Sequence, residues 1–513
     1  MKVTLVNPPR SLYDQSELGP PLGLLRLAGV ARAAGAEVGV ADFNLLYHVE
    51  EGLQGAAFYD AALARLLNEG SDVYGFTSMA VDSHVGIHLA RLIKQARPAA
   101  LTVMGGAHLS SIAEEVLAAY PWVDFVVKGE GEGAFGELIK EASGPARRAV
   151  PAVLSSAAPH EPPPAAYDLI DLEPYFAINP RRCLDFEGGR GCRFKCSFCY
   201  SPVHYSATRD FDIDENIDGL ERLRRLGAEH VFFVEDNFLN DPARAVAFCR
   251  EMEAARLGLT WHCYATFPQM SPEVIAWMAR AGCTAVFTGI DAVGGVSQRA
   301  YRKGFLRHKT SLERQLVECV EAGIVPTCAF LLSPPSHACG VDFDETLGAA
   351  LVARNCGAQV KLNTLTLYNR TKSRVDVKSP CHYDDVKPRL MLDVPEVVEC
   401  NDYARALPRL FPFHSRYVAG DEWQEFVSLT HCLFTLFYCY PRTLEALWAE
   451  QSISPYAVSR QVLEGVGDLL EIEKPLRRDA ELAAAIPILE GLTAATKGAQ
   501  SVLEVESCAL MTA

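Results

Sequence analysis

The stretch Arg190-Gly191-Cys192-Arg193-Phe194-Lys195-Cys196-Ser197-Phe198-Cys199-Tyr200 decides how the rest of the chain is read. Its three cysteines are spaced C-x3-C-x2-C. Thiolates grouped this closely suit a soft metal ion or an iron–sulfur centre. A closed structural zinc site, or an ordinary 4Fe–4S cluster, takes four protein ligands, and this run offers three. One metal corner is then left for a small molecule. The alternative is Cys183, nine residues upstream, acting as a fourth ligand and closing the site.

Downstream of this run, strand-like and helix-like stretches alternate. Glu215–Leu226 repeats Ile217, Leu220, Leu223 and Leu226 on one helical face. Strands are expected over His230–Val234, Leu259–Tyr264, Ala285–Thr288, Val325–Leu332 and Val360–Leu367. Helices are expected over Pro242–Ala255, Pro272–Ala281 and Ser311–Ala322. Such repeats predict a parallel β/α barrel, complete or partial, over 181–385, with its site at the carboxyl ends of the strands. Those ends carry Glu235-Asp236-Asn237, Ala265-Thr266, Gly289-Ile290-Asp291-Ala292 and Ser333-Pro334-Pro335. Tyr368 and Arg370 either face a substrate or are a packed aromatic and a surface cation.

Upstream, residues 1–145 also alternate, with strands at Lys2–Val6, Val38–Val40, Val73–Thr77, Leu101–Met104 and Val123–Val127. Helical patterns fill Pro21–Ala34, Tyr59–Leu67 and His84–Gln95, so a doubly wound, Rossmann-like α/β domain is expected. Ligands of such sheets sit at strand carboxyl ends. Here these are Asn7-Pro8-Pro9, Ser78-Met79, Gly105-Gly106-Ala107-His108 and Gly129-Glu130-Gly131-Glu132. Residues 146–180 read as a linker, in which the proline-dense Pro145–Ala166 is an extended tether that excludes helix and sheet. Residues 386–513 read as a helical domain, with Phe426, Phe434, Phe437 and Tyr440 as core and Ala480–Val505 as a peripheral helix.

The 513 residues carry a net charge of −16, which argues against a nucleic-acid partner. Sixteen scattered cysteines, with no secretory signal at the start, read as reduced thiols of a cytoplasmic protein. No run has the length and apolarity of a membrane span.

The cysteine spacing, with Phe198 before the last cysteine and Tyr200 after it, resembles the signature of radical S-adenosylmethionine (SAM) enzymes. Asn7-Pro8-Pro9, Pro20-Pro21-Leu22-Gly23-Leu24 and the Gly129–Glu132 turn resemble the cobalamin-binding domain that precedes many radical SAM cores. In that order, followed by a helical tail, the chain resembles the cobalamin-dependent (class B) radical SAM enzymes. The resemblance implies a 4Fe–4S cluster on Cys192, Cys196 and Cys199. It implies SAM contacts from Phe198, Tyr200, Glu235, Asp236 and Asn237. Gly289 and Asp291 stand where relatives carry Gly-Ile-Glu-Ser. Ala265-Thr266 lacks the basic residue relatives place there, so the partner of the SAM carboxylate stays unassigned. Cobalamin is expected on Asn7, Pro8, Ser78, Met79, Gly105, Gly106, His108, Gly129, Glu130, Gly131 and Glu132. The mutase run Asp-x-His-x-x-Gly has only the shortened match Asp82-Ser83-His84-Val85-Gly86, after the wrong strand, so His84 reads as a helix-start residue.

What the resemblance implies chemically is methylation of an unactivated carbon of a small-molecule natural-product intermediate. A 5′-deoxyadenosyl radical and methylcobalamin would carry it, with a flavodoxin- or ferredoxin-type electron donor. The alternative keeps both cofactors but rearranges or cyclises its substrate, or acts on a peptide. A cofactor-based sensor would want a DNA-binding or signalling module, and none is legible.

Overall fold

The structure is a computed structural model. It describes residues 1–9, 18–50, 53, 58–144, 151–156, 162–205, 207–303, 309–333, 343–373, 382–383, 415–416, 420–466 and 474–493. The expectations for Pro334, Pro335 and the end of the Ala480–Val505 helix beyond Thr493 lie outside the described residues.

The first sheet is built from β1 (Lys2–Asn7), β2 (Glu37–Asp42), β3 (Val73–Phe76), β4 (Leu101–Met104), β5 (Phe125–Val127) and β6 (Ala152–Leu154). All pairings are parallel and the order is β2-β1-β3-β4-β5-β6. Alternate residues serve opposite faces. Leu5, Val103 and Phe125 pack with Leu24, Ala28, Phe135 and Leu138 on one side. Val6, Phe76 and Met104 pack with Phe58, Ile87 and Val116 on the other. The order reverses beside β1, and that switch point opens a crevice at the strand ends. β6 corrects the expectation that the proline-rich segment excludes sheet. Ala152–Leu154 carries no proline, and it adds at an edge, where Pro151 just ahead costs no ladder hydrogen bond.

The second sheet joins β7 (Cys183–Phe186) to four predicted strands and one longer than predicted. The short antiparallel pair β8 (Gly189–Arg190) and β9 (Arg209–Asp210) follows β7. Then come β10 (His230–Phe233), β11 (Thr260–Tyr264), β12 (Cys283–Asp291), β13 (Val325–Leu332) and β14 (Gln359–Thr364). The order is β14-β13-β12-β11-β10-β7, all parallel, an open, partial β/α barrel. Leu184, Val231, Phe233, Trp261 and Cys263 form its helix-covered face.

The helices Gly420–Cys439, Pro441–Gln451, Pro455–Val466 and Lys474–Thr493 share one apolar cluster with β13 and β14. Phe426, Phe437 and Tyr440 lie in it as expected. Ala485 and Leu489 are fully buried there, so this last helix is core rather than peripheral. Among the described residues no helix is long and apolar enough to cross a membrane.

Candidate functional site

The cysteine loop leaves β8 at Gly191, whose φ of 77° lies in the left-handed region; a Cβ there would sit 2.9 Å from the Ala207 carbonyl. The Asn240 side chain pins the loop, donating to the Gly191 carbonyl at 2.8 Å and accepting from the Arg193 amide at 3.0 Å. Further along, the Ser197 amide donates to the Tyr301 carbonyl at 3.0 Å, and Ser197 Oγ donates to the Ala300 carbonyl at 2.7 Å. Cys192, Cys196 and Cys199 are free and half-buried, and each thiol's charge is felt by another of the three. Burial pushes all three thiols up, to about 11 for Cys196 and Cys199. A thiol held that high loses its proton only to a metal that binds it.

Cys183 is the first residue of β7, whereas the cysteine loop lies beyond that strand's last residue. Three residues of strand separate them by roughly 10 Å. The donor set of the loop is therefore the three cysteines, and the fourth-ligand alternative falls away.

Around the thiols stand three charged side chains. Asp236 accepts from Ser201 Oγ at 2.7 Å, and its charge is felt by Cys192 and Cys199. Asp291 has φ 61° at the end of β12 and is ion-paired with Lys303, both side chains being almost fully buried. Lys303 lies 5.9 Å from the Phe198 ring centroid and its charge reaches all three cysteines. A Cβ on Gly289 would come within 2.8 Å of Lys303 Nζ, so glycine is what lets the cation in. Lys303 was not legible beforehand, since it follows Asp291 in no motif. Asn237 turns away, its side chain bonding Thr266, Asn240 and Gln269. Glu235 is buried beside the Gly188 amide, 3.5 Å away, and burial raises its carboxyl to about 8.

At the strand ends of the first sheet lies a cavity of about 510 Å³, within the range of small-molecule and cofactor sites. Asn7, Met79, Gly105, Gly106, Gly129, Glu130, Gly131 and Glu132 line it, together with Gly19–Leu24, Arg190, His204 and Tyr205. Gly106, at φ 96°, is the tightest point, because a Cβ would meet the Ser78 carbonyl at 2.4 Å. Ser78 braces this turn from behind, its hydroxyl donating to the Gly105 carbonyl at 2.8 Å. Pro8, Ser78 and His108 do not line the cavity. His108 is buried, and burial drops it to about 4, so it is neutral. His84 is likewise buried, in the first turn of the Ser83–Ala96 helix and outside the cavity.

The two sites touch. Tyr200 donates its hydroxyl to the Ala107 carbonyl, next to the Gly106 turn. Arg190 donates to Glu132 at 2.6 and 3.2 Å, to Glu130 at 2.7 Å and to Glu187 at 3.1 Å. Arg26 pairs with Glu187 and Arg209 with Glu130, so three arginines balance three glutamates at this seam. Farther out, Arg370 donates to the Ser111 carbonyl at 3.1 Å and to Glu115 at 2.6 Å. Arg370 is thus an exposed cation that also ties the domains, the surface reading of the two the sequence left open.

Residues 16–139 match the B12 binding domain family and residues 186–320 the Radical SAM superfamily. The chain is therefore a B12-binding domain followed by a radical SAM domain, and a cobalamin-dependent radical SAM enzyme. Its cofactors are a 4Fe–4S cluster, SAM and cobalamin; the three thiols suit the cluster, and the strand-end cavity is lined mostly by residues of the B12-matched domain. The chain is 26% identical over 314 residues to the uncharacterized methyltransferase PH0819 of Pyrococcus horikoshii, covering 57% of this chain and 66% of that protein. It is 24% identical over 315 residues to the anaerobic magnesium-protoporphyrin IX monomethyl ester cyclase of Cereibacter sphaeroides, covering 55% and 49%. The chain thus spans about half to two thirds of the length of these two curated relatives. Five of eight curated relatives are methyltransferases or methylases by name and three are cyclases. The fold is that of the cobalamin-dependent SAM radical enzyme OxsB, with a TM-score of 0.61 at 13% identity, covering 96% of this chain and 80% of that one.

Proposed function

We propose that the chain methylates an unactivated carbon of a small-molecule, natural-product-type intermediate. The observation that carries the reading is the seam: the loop of three thiols is tied directly to the strand-end turns that line the cavity, through Tyr200 and Arg190. Asn7 and these turns would hold a methyl carrier, and the same contacts would keep it beside the thiol loop. When bound, the three cofactors supply reductive cleavage of SAM to a 5′-deoxyadenosyl radical and a transferable methyl group.

The chain's own residues bind, orient and exclude water. Cys192, Cys196 and Cys199 hold the cluster and leave one corner for SAM. Asp236, fixed by Ser201, accepts from the SAM ammonium. Lys303 takes the SAM carboxylate, filling the role that Ala265-Thr266 leaves open, and Asp291 positions it. Phe198 packs edge-on to Tyr301, at 5.3 Å between centroids, and shields the loop from solvent. Asn7 and the Gly105–Gly106 and Gly129–Glu132 turns cradle cobalamin. A flavodoxin- or ferredoxin-type protein supplies electrons.

The test is incubation of the anaerobically reconstituted protein with extracts of its source and SAM bearing a trideuteromethyl group. The reading expects 5′-deoxyadenosine together with a product that has gained the intact label. The second reading, rearrangement or cyclisation, draws on the three cyclases among the relatives. It expects 5′-deoxyadenosine with no label in any product, and that result overturns methyl transfer.

A further inference from the structure

A second group of metal-binding side chains lies at the opposite end of the second sheet from the cysteine loop. Cys183 opens β7 and His230 opens β10, and the two are direct partners in the parallel register. His262 sits on β11, opposite Phe232, and so shares the face of Cys183 and His230. One nitrogen or sulfur from each of the three lies within 4.8 Å of the others. Neither the radical chemistry nor the cobalamin cavity uses any of them.

The surroundings set up these atoms as ligands. Thr260 Oγ1 donates to the Glu229 carbonyl at 3.3 Å. Its lone pairs are then left to accept from His230 Nδ1 at 2.7 Å. In that donor arrangement His230 carries its proton on Nδ1, and its Nε2 lone pair points at His262 Nδ1, 2.7 Å away. A histidine whose second nitrogen donates into a fixed acceptor is the usual arrangement of an imidazole ligand. Phe232 stacks flat on His262, 4.3 Å between centroids and 3° between planes, holding its ring in the same orientation. The backbone amide of Phe232 bonds the Cys183 sulfur and so fixes where it sits. Arg181 and Asp185, one of each sign, are the charged groups felt at the Cys183 sulfur.

We infer that Cys183, His230 and His262 bind one Zn²⁺, clipping together the amino-terminal ends of the first three strands of the second sheet. A thiolate with two imidazoles is a borderline-soft donor set that suits zinc, and a tetrahedral ion leaves its fourth position to water. Bonds of about 2.0–2.3 Å put tetrahedral ligand atoms roughly 3.3–3.7 Å apart, so the ring pair opens slightly and the sulfur closes in. The proton balance is simple. Cys183 releases its thiol proton, and neutral His262 moves its proton from Nδ1 to Nε2, so one proton leaves per ion bound.

The experiment uses the full chain with Cys192, Cys196 and Cys199 all changed to alanine, so that zinc cannot enter the cluster loop. Metal analysis after dialysis should find one zinc per chain, and titration against a chromophoric chelator gives its affinity. Cys183→Ser and His262→Gln should each weaken binding by about 100-fold or more. Thr260→Val should cost about 10–100-fold, the usual effect of losing an orienting partner. Less than stoichiometric zinc, or affinity unchanged in either ligand variant, overturns the assignment. Where a variant fails to fold, X-ray absorption at the zinc edge of the parent decides. One sulfur near about 2.3 Å and two nitrogens near about 2.0 Å support the site. A shell without sulfur, or with more than one, refutes it.

Discussion

Replacing Arg190 by methionine should strike both domains at once. Its guanidinium is 7% exposed and sits among Glu132, Glu187 and Glu130, at 9%, 12% and 16% exposure. Burial alone works against ionising Glu132, but the hydrogen bond and charge of Arg190 outweigh it and hold the carboxyl below its ordinary value. Burial works against the arginine too, and the glutamates more than compensate. In the variant, two arginines face three glutamates. Glu132 then keeps its burial and loses its partner. Removing one member of such a buried pair typically costs about 3–5 kcal/mol, against under about 1 kcal/mol for a pair in water. Equilibrium urea unfolding of the full chain, followed at the transition that separates the domains, should move by that larger amount. Adding Glu132→Gln should restore part of the loss, because no stranded carboxylate remains. A single-variant loss near 1 kcal/mol, or a double variant as unstable as the sum of the two singles, would refute a desolvated network. Glu132 also gives a sign for pH. Its folded value is depressed, so its contribution is present above the unfolded carboxylate value and fades as pH falls through the folded one.

Glu235 has the opposite sign: its folded carboxyl, about 8, stands above the ordinary 4.5, so stability falls as pH rises between the two. Glu235→Gln should therefore gain on the parent by at most about 1.4 kcal/mol per pH unit across that window, and a pH-independent difference in Tm would rule this out. Cys196→Ala should abolish the broad iron–sulfur absorbance and all 5′-deoxyadenosine; SAM cleavage surviving in that variant would remove the cluster assignment. Gly106→Ala forces a Cβ to 2.4 Å from the Ser78 carbonyl at a strained φ. It should weaken hydroxocobalamin binding at least about tenfold, with the cluster spectrum unchanged. Lys303→Met should raise the Kd for SAM while leaving cobalamin binding intact, and an unaltered Kd would take the carboxylate role away from it.

The two sheets were legible because their strands are short apolar runs that alternate with longer helical patterns, and the alternation together with the run lengths identifies them. Leu101–Met104, Pro242–Ala255 and Val325–Leu332 fall where the sequence puts them. β7 was not legible, since Cys-Leu-Asp-Phe mixes polar and apolar residues as a strand facing two environments must. β6 hid among prolines that flank it without interrupting it. At the site, the cysteine loop announces itself through its spacing, and Asp236 and Asp291 through their places at strand ends. Lys303 and Arg190 do not. Each acts through a partner distant in sequence or on another sheet, Asp291 for the one and Glu130 and Glu132 for the other, and local pattern carries no trace of such pairings. The two glutamates read as cofactor contacts turn out to line the cavity and to bind arginine at the same time.

The latches at Tyr200 and Arg190 bear on how the cofactors are held. The cysteine loop is fastened to the very turns that floor the cavity, so whatever sits there shares its footing with the thiols. A movement that parts the two domains would loosen the seat of the macrocycle and the anchorage of the cluster loop in one stroke.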